Sequence, residues 1–440
     1  MINFSQYPGN KAFERSCLPY LLGTVQRFFG GVVTFDPAPI QNLKQKFSID
    51  VTENPRRGSY ICSDGSAIIL GRVHEEATLK AVFSIHISQT SFKYLANLLK
   101  AFDGALAATL VRSSSRKFQE KPHEFGDELI EQVICRFFSR DLYDIHLFKH
   151  LIEIFHSLAN LKFEGRNFTT GLIITNAFHE YAKKGEHTRE GTMYRLASEF
   201  SLSPDQSVHK RFWYLADGQT SYYMCNRNLQ IRSLFITQNS RQALNSFVDD
   251  FALSKTIKGG DALFRVTSQS EFSILSSEGI EFNYKEGRWR ARNLFQIAEI
   301  IKEVLTVEDV FIQSFMYYVL YLSRRRQSSI LWVPKNTNKI KDFVLSRHKF
   351  TETPFSILEE THTQSLLRLL SSDGTSIIGL DGKLISFGSV VDVSKITVDG
   401  IKGTGESVAE ILGNNGLSVK VSQDGTIKIF IGNGSPAIII

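Results

Sequence analysis

The sequence predicts a mixed α/β fold: a C-terminal domain built on a mixed sheet flanked by helices, preceded by an α+β N-terminal region. Three observations predict it. Apolar residues recur at three- and four-residue spacing in several stretches, as in Phe92, Leu95, Leu98, Leu99 and Phe102, which is the signature of an amphipathic helix. Short apolar runs beside glycine, such as Gly171-Leu172-Ile173-Ile174-Thr175, have the length of buried strands. The two patterns alternate along 440 residues, enough for two or three domains that each bury a core.

Taken in order, residues 1–75 read as mixed and strand-rich, with Gly30-Gly31-Val32-Val33-Thr34-Phe35 and Ala67-Ile68-Ile69-Leu70 as strands. Helices are expected over 88–160, including about Glu128 to Phe138 and Leu147 to Leu158. From Asn167 to Thr237 the pattern returns to strands, at 171–175, Arg211-Phe212-Trp213-Tyr214-Leu215 and Ser233-Leu234-Phe235-Ile236-Thr237. The charged stretch Tyr181 to Glu190 reads as an exposed helix end or loop. Residues 262–290 give short strands separated by turns, closed by Glu286-Gly287-Arg288-Trp289-Arg290. Helices follow at Leu294 to Leu305 and Val310 to Arg325, then the strand Ile330-Leu331-Trp332-Val333-Pro334. These shifts divide the chain into an α+β region (1–160), a strand-rich middle (161–288) and a C-terminal domain (289–440).

Composition narrows the class. Hydrophobic residues at 42% and charged residues at 22% are ordinary globular values. A formal net charge of +6 allows a polyanionic ligand without demanding one. The cysteines Cys17, Cys62, Cys135 and Cys225 form no Cys-x-x-Cys pair, which argues against a zinc ribbon or thioredoxin-type site and fits a reducing compartment. Residues 1–16 lack the pattern of a secretory signal. The run Phe315 to Leu322 is far short of the roughly 20 residues of a membrane span. The reading is a soluble, cytoplasmic protein with no membrane partner. The 34 phenylalanines read mainly as core.

The last seventy residues carry the chemistry. Ser372-Asp373-Gly374-Thr375-Ser376-Ile377-Ile378-Gly379 reads as a tight turn feeding a strand. Gly403-Thr404-Gly405-Glu406-Ser407-Val408-Ala409 reads as a glycine loop opening a helix, and Ser422-Gln423-Asp424-Gly425-Thr426-Ile427 as a hairpin. Two glycine turns whose amides face one point make a phosphate cradle. The second turn brings no Arg, Lys or His of its own, so the pocket is expected to bind better than it catalyses. Asp373-Gly374-Thr375 alone also fits a plain hairpin turn, and Glu406 also fits a carboxylate favoured at a helix N-terminus. An echo runs through Ser63-Asp64-Gly65-Ser66-Ala67-Ile68-Ile69, Ala216-Asp217-Gly218-Gln219-Thr220 and the 372–378 segment. A duplicated module and the general preference for Asp-Gly before a strand both account for it.

From about 310 to 434 the chain resembles the diadenylate cyclase domain, found in bacterial synthases of cyclic di-AMP and in DNA-integrity-scanning proteins. The family's Asp-Gly-Ala signature falls on Asp373-Gly374-Thr375. Its Gly-Thr-Arg-His-Arg-x-Ala signature falls on Gly403-Thr404-Gly405-Glu406-Ser407-Val408-Ala409. The turn Asp381-Gly382-Lys383-Leu384, the strand at 330–333 and the hairpin at 422–426 follow in the family's order. The resemblance implies a nucleotide site at Asp373, Gly374, Thr375, Gly403, Thr404, Gly405, Glu406 and Ser407, with Asp373 holding Mg or Mn that comes with the nucleotide. It also implies pairing of two such domains, here as a homodimer. The Arg-His-Arg cations are replaced by Gly405, Glu406 and Ser407, which forfeits bidentate phosphate contacts and transition-state stabilisation. The pattern is similar to non-catalytic sensor domains of bacterial signalling and phage defence, which work through an effector protein. The alternative is an active, divergent cyclase using Arg324, Arg325 and Arg326 as substitute cations. A third is a fold that serves dimerisation alone.

Other chemistry is sparse. His179-Glu180 and Glu186-His187 do not match His-Glu-x-x-His spacing. Residues 321–350 hold eight basic residues against one acid, Asp342, which fits a nucleic-acid patch or a solvated basic face.

Overall fold

The computed structural model describes residues 18–37, 39–49, 57–75, 78–88, 91–93, 95–112, 122–139, 144–163, 166–167, 169–181, 191–202, 210–237, 250–268, 270–395, 403–432 and 436–439. The fold is mixed α/β, as the alternating periodicities predict. Contacts divide the chain into two compact units: residues 1–238 with 256–293, and residues 239–255 with 294–440. The joint expected near 160 falls inside the first unit.

In the first unit, α1 (Leu18–Phe29), β1 (Val32–Asp36), α2 (Pro39–Phe47), β2 (Ser59–Ile61), β3 (Ala67–Glu75) and β4 (Thr78–Ser88) come first. They give a four-stranded sheet in the order β1-β4-β3-β2. Three long helices follow: α3 (Ala96–Arg112), α4 (Pro122–Ser139) and α5 (Ile145–Ala159). Then come β5 (Thr170–Ile174), β6 (Gly191–Ser201), β7 (Ser221–Cys225), β8 (Gln230–Thr237), β9 (Ala262–Ser268), β10 (Glu271–Ser276), β11 (Ile280–Lys285) and β12 (Arg288–Asn293). One continuous core joins inner residues of the four-stranded sheet, such as Ile69 and Ile85, to α1, α3, α4 and α5 and to Leu172, Phe264 and Phe282 of the eight-stranded sheet. Aromatic rings fill its middle. Phe28, Phe137 and Phe138 all pack on Phe282 at 5.3–6.2 Å between centroids.

In the second unit, α6 (Asp250–Thr256) precedes α7 (Leu294–Leu305), α8 (Asp309–Arg324), β13 (Ser329–Pro334) and β14 (Val344–His348). Next come α9 (Thr363–Leu370), β15 (Thr375–Ile378), β16 (Leu384–Val391), α10 (Thr404–Gly413), β17 (Gly416–Val421), β18 (Ile427–Phe430) and β19 (Pro436–Ile439). Helix α10 covers one face of the seven-stranded sheet, where Val408, Ala409 and Leu412 pack on Ile330, Trp332, Ile377 and Phe430. Helices α7, α8 and α9 contact its strands as well. Ser329, one residue from Ile330 and so on the opposite face, bonds through its hydroxyl to the Leu370 carbonyl of α9.

The two large sheets share one strand order. In each, the first strand in the chain (β5; β13) is central, and the third (β7; β15) pairs parallel to it. The fourth (β8; β16) adds antiparallel, and the second (β6; β14) forms the edge. On the other side the fifth to seventh strands (β9, β10, β11; β17, β18, β19) run as an antiparallel meander, and β12 extends the first sheet. The Asp217-Gly218 and Asp373-Gly374 turns precede equivalent strands, with φ of 68° and 94° at the glycines. Asp64-Gly65 instead forms the turn between β2 and β3 of the four-stranded sheet. Two of the three echoed turns therefore mark a repeated topology, and the third is an ordinary hairpin.

The local expectations differ from the structure in two places. Residues 18–29 and 39–47 are helical where strands were expected to dominate. Arg211 to Leu215 is not a strand; a short helix spans Lys210–Trp213. A five-residue aromatic run does not separate helix from strand by period. Here the Trp213 ring packs edge-on against Phe155 and Tyr223, and the tertiary contact decides.

Two stability predictions follow from the second unit. Arg324 meets the fully buried Asp250 of α6 through Nε at 2.8 Å and a second guanidinium nitrogen at 2.7 Å. Truncating one partner of a buried pair leaves the other charge stranded, so Arg324→Ala is expected to cost about 3–5 kcal/mol in denaturant unfolding. A Cβ on Gly374 would lie 2.8 Å from the Gly388 carbonyl carbon, at a φ that disfavours side chains. Gly374→Ala is therefore expected to destabilise by about 2 kcal/mol or more, read by the same measurement.

Candidate functional site

The register of four strands assembles the site. Thr375 of β15 lies opposite Ile330 of β13, Ile330 opposite Lys420 of β17, and Lys420 opposite Lys428 of β18. Directly opposed residues share a face, so these four side chains form a row across the sheet. The N-terminus of α10 lies over that row. A Cβ on Gly405 would meet Lys420 Nζ at 3.2 Å and Ile330 at 3.8 Å. The Asp373 carboxylate, at the head of β15, acts electrostatically on the same ammonium. The two glycine turns thus converge on Lys420.

The helix end is open. Its N-cap is Gly403, with no side-chain cap. The first intrahelical bonds run from the amides of Glu406 and Ser407 to the Gly403 carbonyl. Thr404 and Gly405 come before that point and belong to the first turn, whose amides have no intrahelical acceptor. The positive end of the helix dipole and an ammonium therefore share one spot, an arrangement that is unfavourable until an anion occupies it.

Lys420 is half-buried and donates to Ser328 Oγ at 2.7 Å. Burial pushes its ammonium below the ordinary lysine range, and the Asp373 carboxylate opposes that shift. Lys428 pairs with Glu406 at 2.7 Å, each side chain about a quarter exposed. The expectation of a pocket without positive side chains is corrected here. The glycine turn brings no cation, but β17 and β18 each bring one. Glu406 is likewise corrected: its charge is met by Lys428 rather than turned unopposed toward a ligand.

The remaining predicted residues separate by burial. Asp373 is exposed, and its Oδ1 accepts from the Gly374 amide at 3.0 Å. Gly403 and Thr404 are exposed and line the open end. Ser407 is buried, its hydroxyl directed back to the Gly403 carbonyl at 3.5 Å, so it closes the helix turn and does not face a ligand. Thr375 is 1% exposed, and its Oγ1 has no hydrogen-bond partner among the described residues. Lys420 and Lys428 were outside the sequence-predicted set. Their signal, a Lys in each of two consecutive strands of a hairpin, becomes readable once the hairpin register is known.

The substitute cations of the cyclase alternative are placed differently. Arg324 is committed to Asp250, and Arg325 lies over the Tyr321 ring at 5.8 Å. Among the described residues no group of three His, Cys, Asp or Glu side chains could hold a metal ion. Asp373 is one exposed carboxylate, which suits an Mg or Mn ion that takes its other ligands from phosphate and water. His179 and Glu180 lie in a one-turn helix, Phe178–Tyr181; Glu186 and His187 fall outside the described residues. No helix among the described residues is long and apolar enough to cross a membrane.

No family model matches the chain, and no curated protein matches it. Among solved structures it is similar to a hypothetical membrane spanning protein from Bacillus cereus, at 15% identity over 33% of this chain and 70% of that one, with a TM-score of 0.26. It is also similar to a double mutant of DacA from Staphylococcus aureus, at 20% identity over 29% of this chain and 86% of that one, with a TM-score of 0.23.

Proposed function

We propose that the second unit is a receptor for the phosphate of a nucleotide or cyclic dinucleotide, a diadenylate-cyclase-like domain that binds without turning over. The observation that carries this reading is Lys420, half-buried at the open N-terminus of α10, between the two glycine turns. A phosphate oxygen there would take the amides of Thr404 and Gly405 and a charge-assisted bond from the ammonium. Thr375 Oγ1 offers a further donor at the head of β15.

Charge selects among phosphates. The described ionisable side chains of the site are Lys420 and Lys428 against Asp373 and Glu406, which cancel. What remains is the partial positive charge of the helix end, about half a unit. That suits the single charge of a phosphodiester better than a triphosphate. The favoured ligand is therefore a cyclic dinucleotide. ATP would need the Mg or Mn ion that Asp373 can hold. The absence of an arginine fork at Gly405 and Ser407 supports retention of the ligand over phosphoryl transfer.

Calorimetric titration of the full chain with cyclic di-AMP and with ATP tests this. Binding of the diester without metal, tighter than ATP, is expected; heat from neither ligand would overturn the reading, and conversion of ATP to cyclic di-AMP would return the cyclase alternative. Lys420→Gln should weaken diester binding about tenfold, the worth of one charged hydrogen bond. Asp373→Ala should remove the metal response of ATP binding and leave diester binding intact or stronger, because it removes the carboxylate that opposes Lys420.

The depressed Lys420 pKa gives two opposite pH trends. As pH rises through it the ammonium is lost, so affinity falls at lower pH than for an ordinary lysine. The unfolded chain still holds that proton in the same window, so Lys420's contribution to stability rises with pH there. Lys420→Arg, which stays charged, should flatten both trends in alkaline titrations of binding and of unfolding.

A further inference from the structure

The first unit holds a cavity of about 500 Å³ between α3, α4 and the start of α5. Its walls are single helix stripes. Asn97, Lys100, Ala101 and Gly104 recur at three- and four-residue spacing along α3, Arg136 and Ser139 are one turn apart on α4, and Ile145 opens α5. Among the described residues that line it, two are cations and none is acidic.

Gly104 shapes the cavity. A Cβ there would sit 3.6 Å from a guanidinium nitrogen of Arg136 and 3.8 Å from its Cδ, so the arginine lies along the bare helix surface beside it. Lys100 stands one turn away on the same stripe. The acidic groups on these elements are engaged. Asp103 binds Arg72 at 2.6 Å, Asp144 accepts the His146 amide at 2.8 Å as the cap of α5, and Glu278 accepts from Asn97 at 3.3 Å. Two like charges face a volume typical of small-molecule sites, and an oxyanion would relieve their repulsion.

We propose that this cavity binds a small polyanion, held by the Arg136 fork and the Lys100 ammonium, with Asn97 and Ser139 as polar contacts and Ala101 and Ile145 as its apolar floor. The site is separate from the α10 pocket. Its ligand is recognised by clustered oxyanions, which a phosphate ester and a polycarboxylate both present.

Hydrogen-exchange mass spectrometry of the full chain, with inorganic pyrophosphate in one arm and citrate in the other, tests it. Slowed exchange over residues 96–104 and 136–150 is expected in at least one arm, and the arm that responds names the source. The protection should persist in Lys420→Gln. It should weaken about tenfold or more in apparent affinity in Lys100→Gln/Arg136→Gln, since each charged bond is worth about a factor of ten. Gly104→Leu keeps both charges and fills the space, so it should also abolish protection. No protection in either arm, or protection that survives both variants, overturns the proposal.

Discussion

The constraint on which the rest of the second unit depends is the register that sets Thr375, Ile330, Lys420 and Lys428 in one row. It joins two turns that are about thirty residues apart in the chain into one pocket. The side-chain period of a strand is two, so a one-residue slip of β17 against β13 would send Lys420 to the opposite face and bring Val419 or Val421 under α10. Burial guards against that slip. Val419 and Val421 are almost fully buried on the far face, and the slip would exchange them for a lysine there. The hydrophobic core thus fixes the position of the one half-buried ammonium at the mouth of α10.

The repeated topology gives the Asp-Gly echo a physical reading. A strand that enters a sheet parallel to the central strand must be preceded by a sharp reversal, and a glycine at positive φ supplies it. Both Gly218 and Gly374 do so, and each is held by close backbone: a Cβ would meet the Thr170 carbonyl oxygen at 2.3 Å in one case and the Gly388 carbonyl carbon at 2.8 Å in the other. The first copy has closed its turn. Asp217 accepts from the amides of Gln219, Thr220 and Ser221 and from the Thr220 hydroxyl. Asp373 accepts one amide only at 3.0 Å and stays exposed. The same turn is structural in one sheet and open to a ligand in the other.

Much of the fold was legible because it is local. The periods of 294–305 and 310–325 place α7 and α8 within a residue of their observed ends, and the apolar run at 330–334 is β13. Glycine before Thr404 announces α10. What escaped is non-local. Arg211 to Leu215 has no period of its own, and packing of Trp213 decides its form. The repeat could not be separated from a turn preference, because strand order rather than residue identity carries it. Lys420 and Lys428 sit in ordinary alternating strands, and only the pairing of β17 with β13 and β18 brings them to α10. The site read from motifs therefore had its backbone right and its charges incomplete.

Replacing a helix-borne arginine group by strand-borne lysines changes more than the sign count. An arginine fork on the first turn of α10 would move with the helix and reach several phosphate oxygens at once, as transfer chemistry needs. An ammonium on β17 is a point charge fixed to the sheet. It can hold one oxygen and cannot follow a phosphorus centre through in-line displacement. Lys428 is spent on Glu406, so its charge keeps the helix mouth neutral rather than adding to the pull on a ligand. Gly405 must also stay small, because any Cβ there would press on Lys420 at 3.2 Å. The glycine that removed a cation from the motif is what leaves room for the cation from the strand, so the two changes form one coupled exchange.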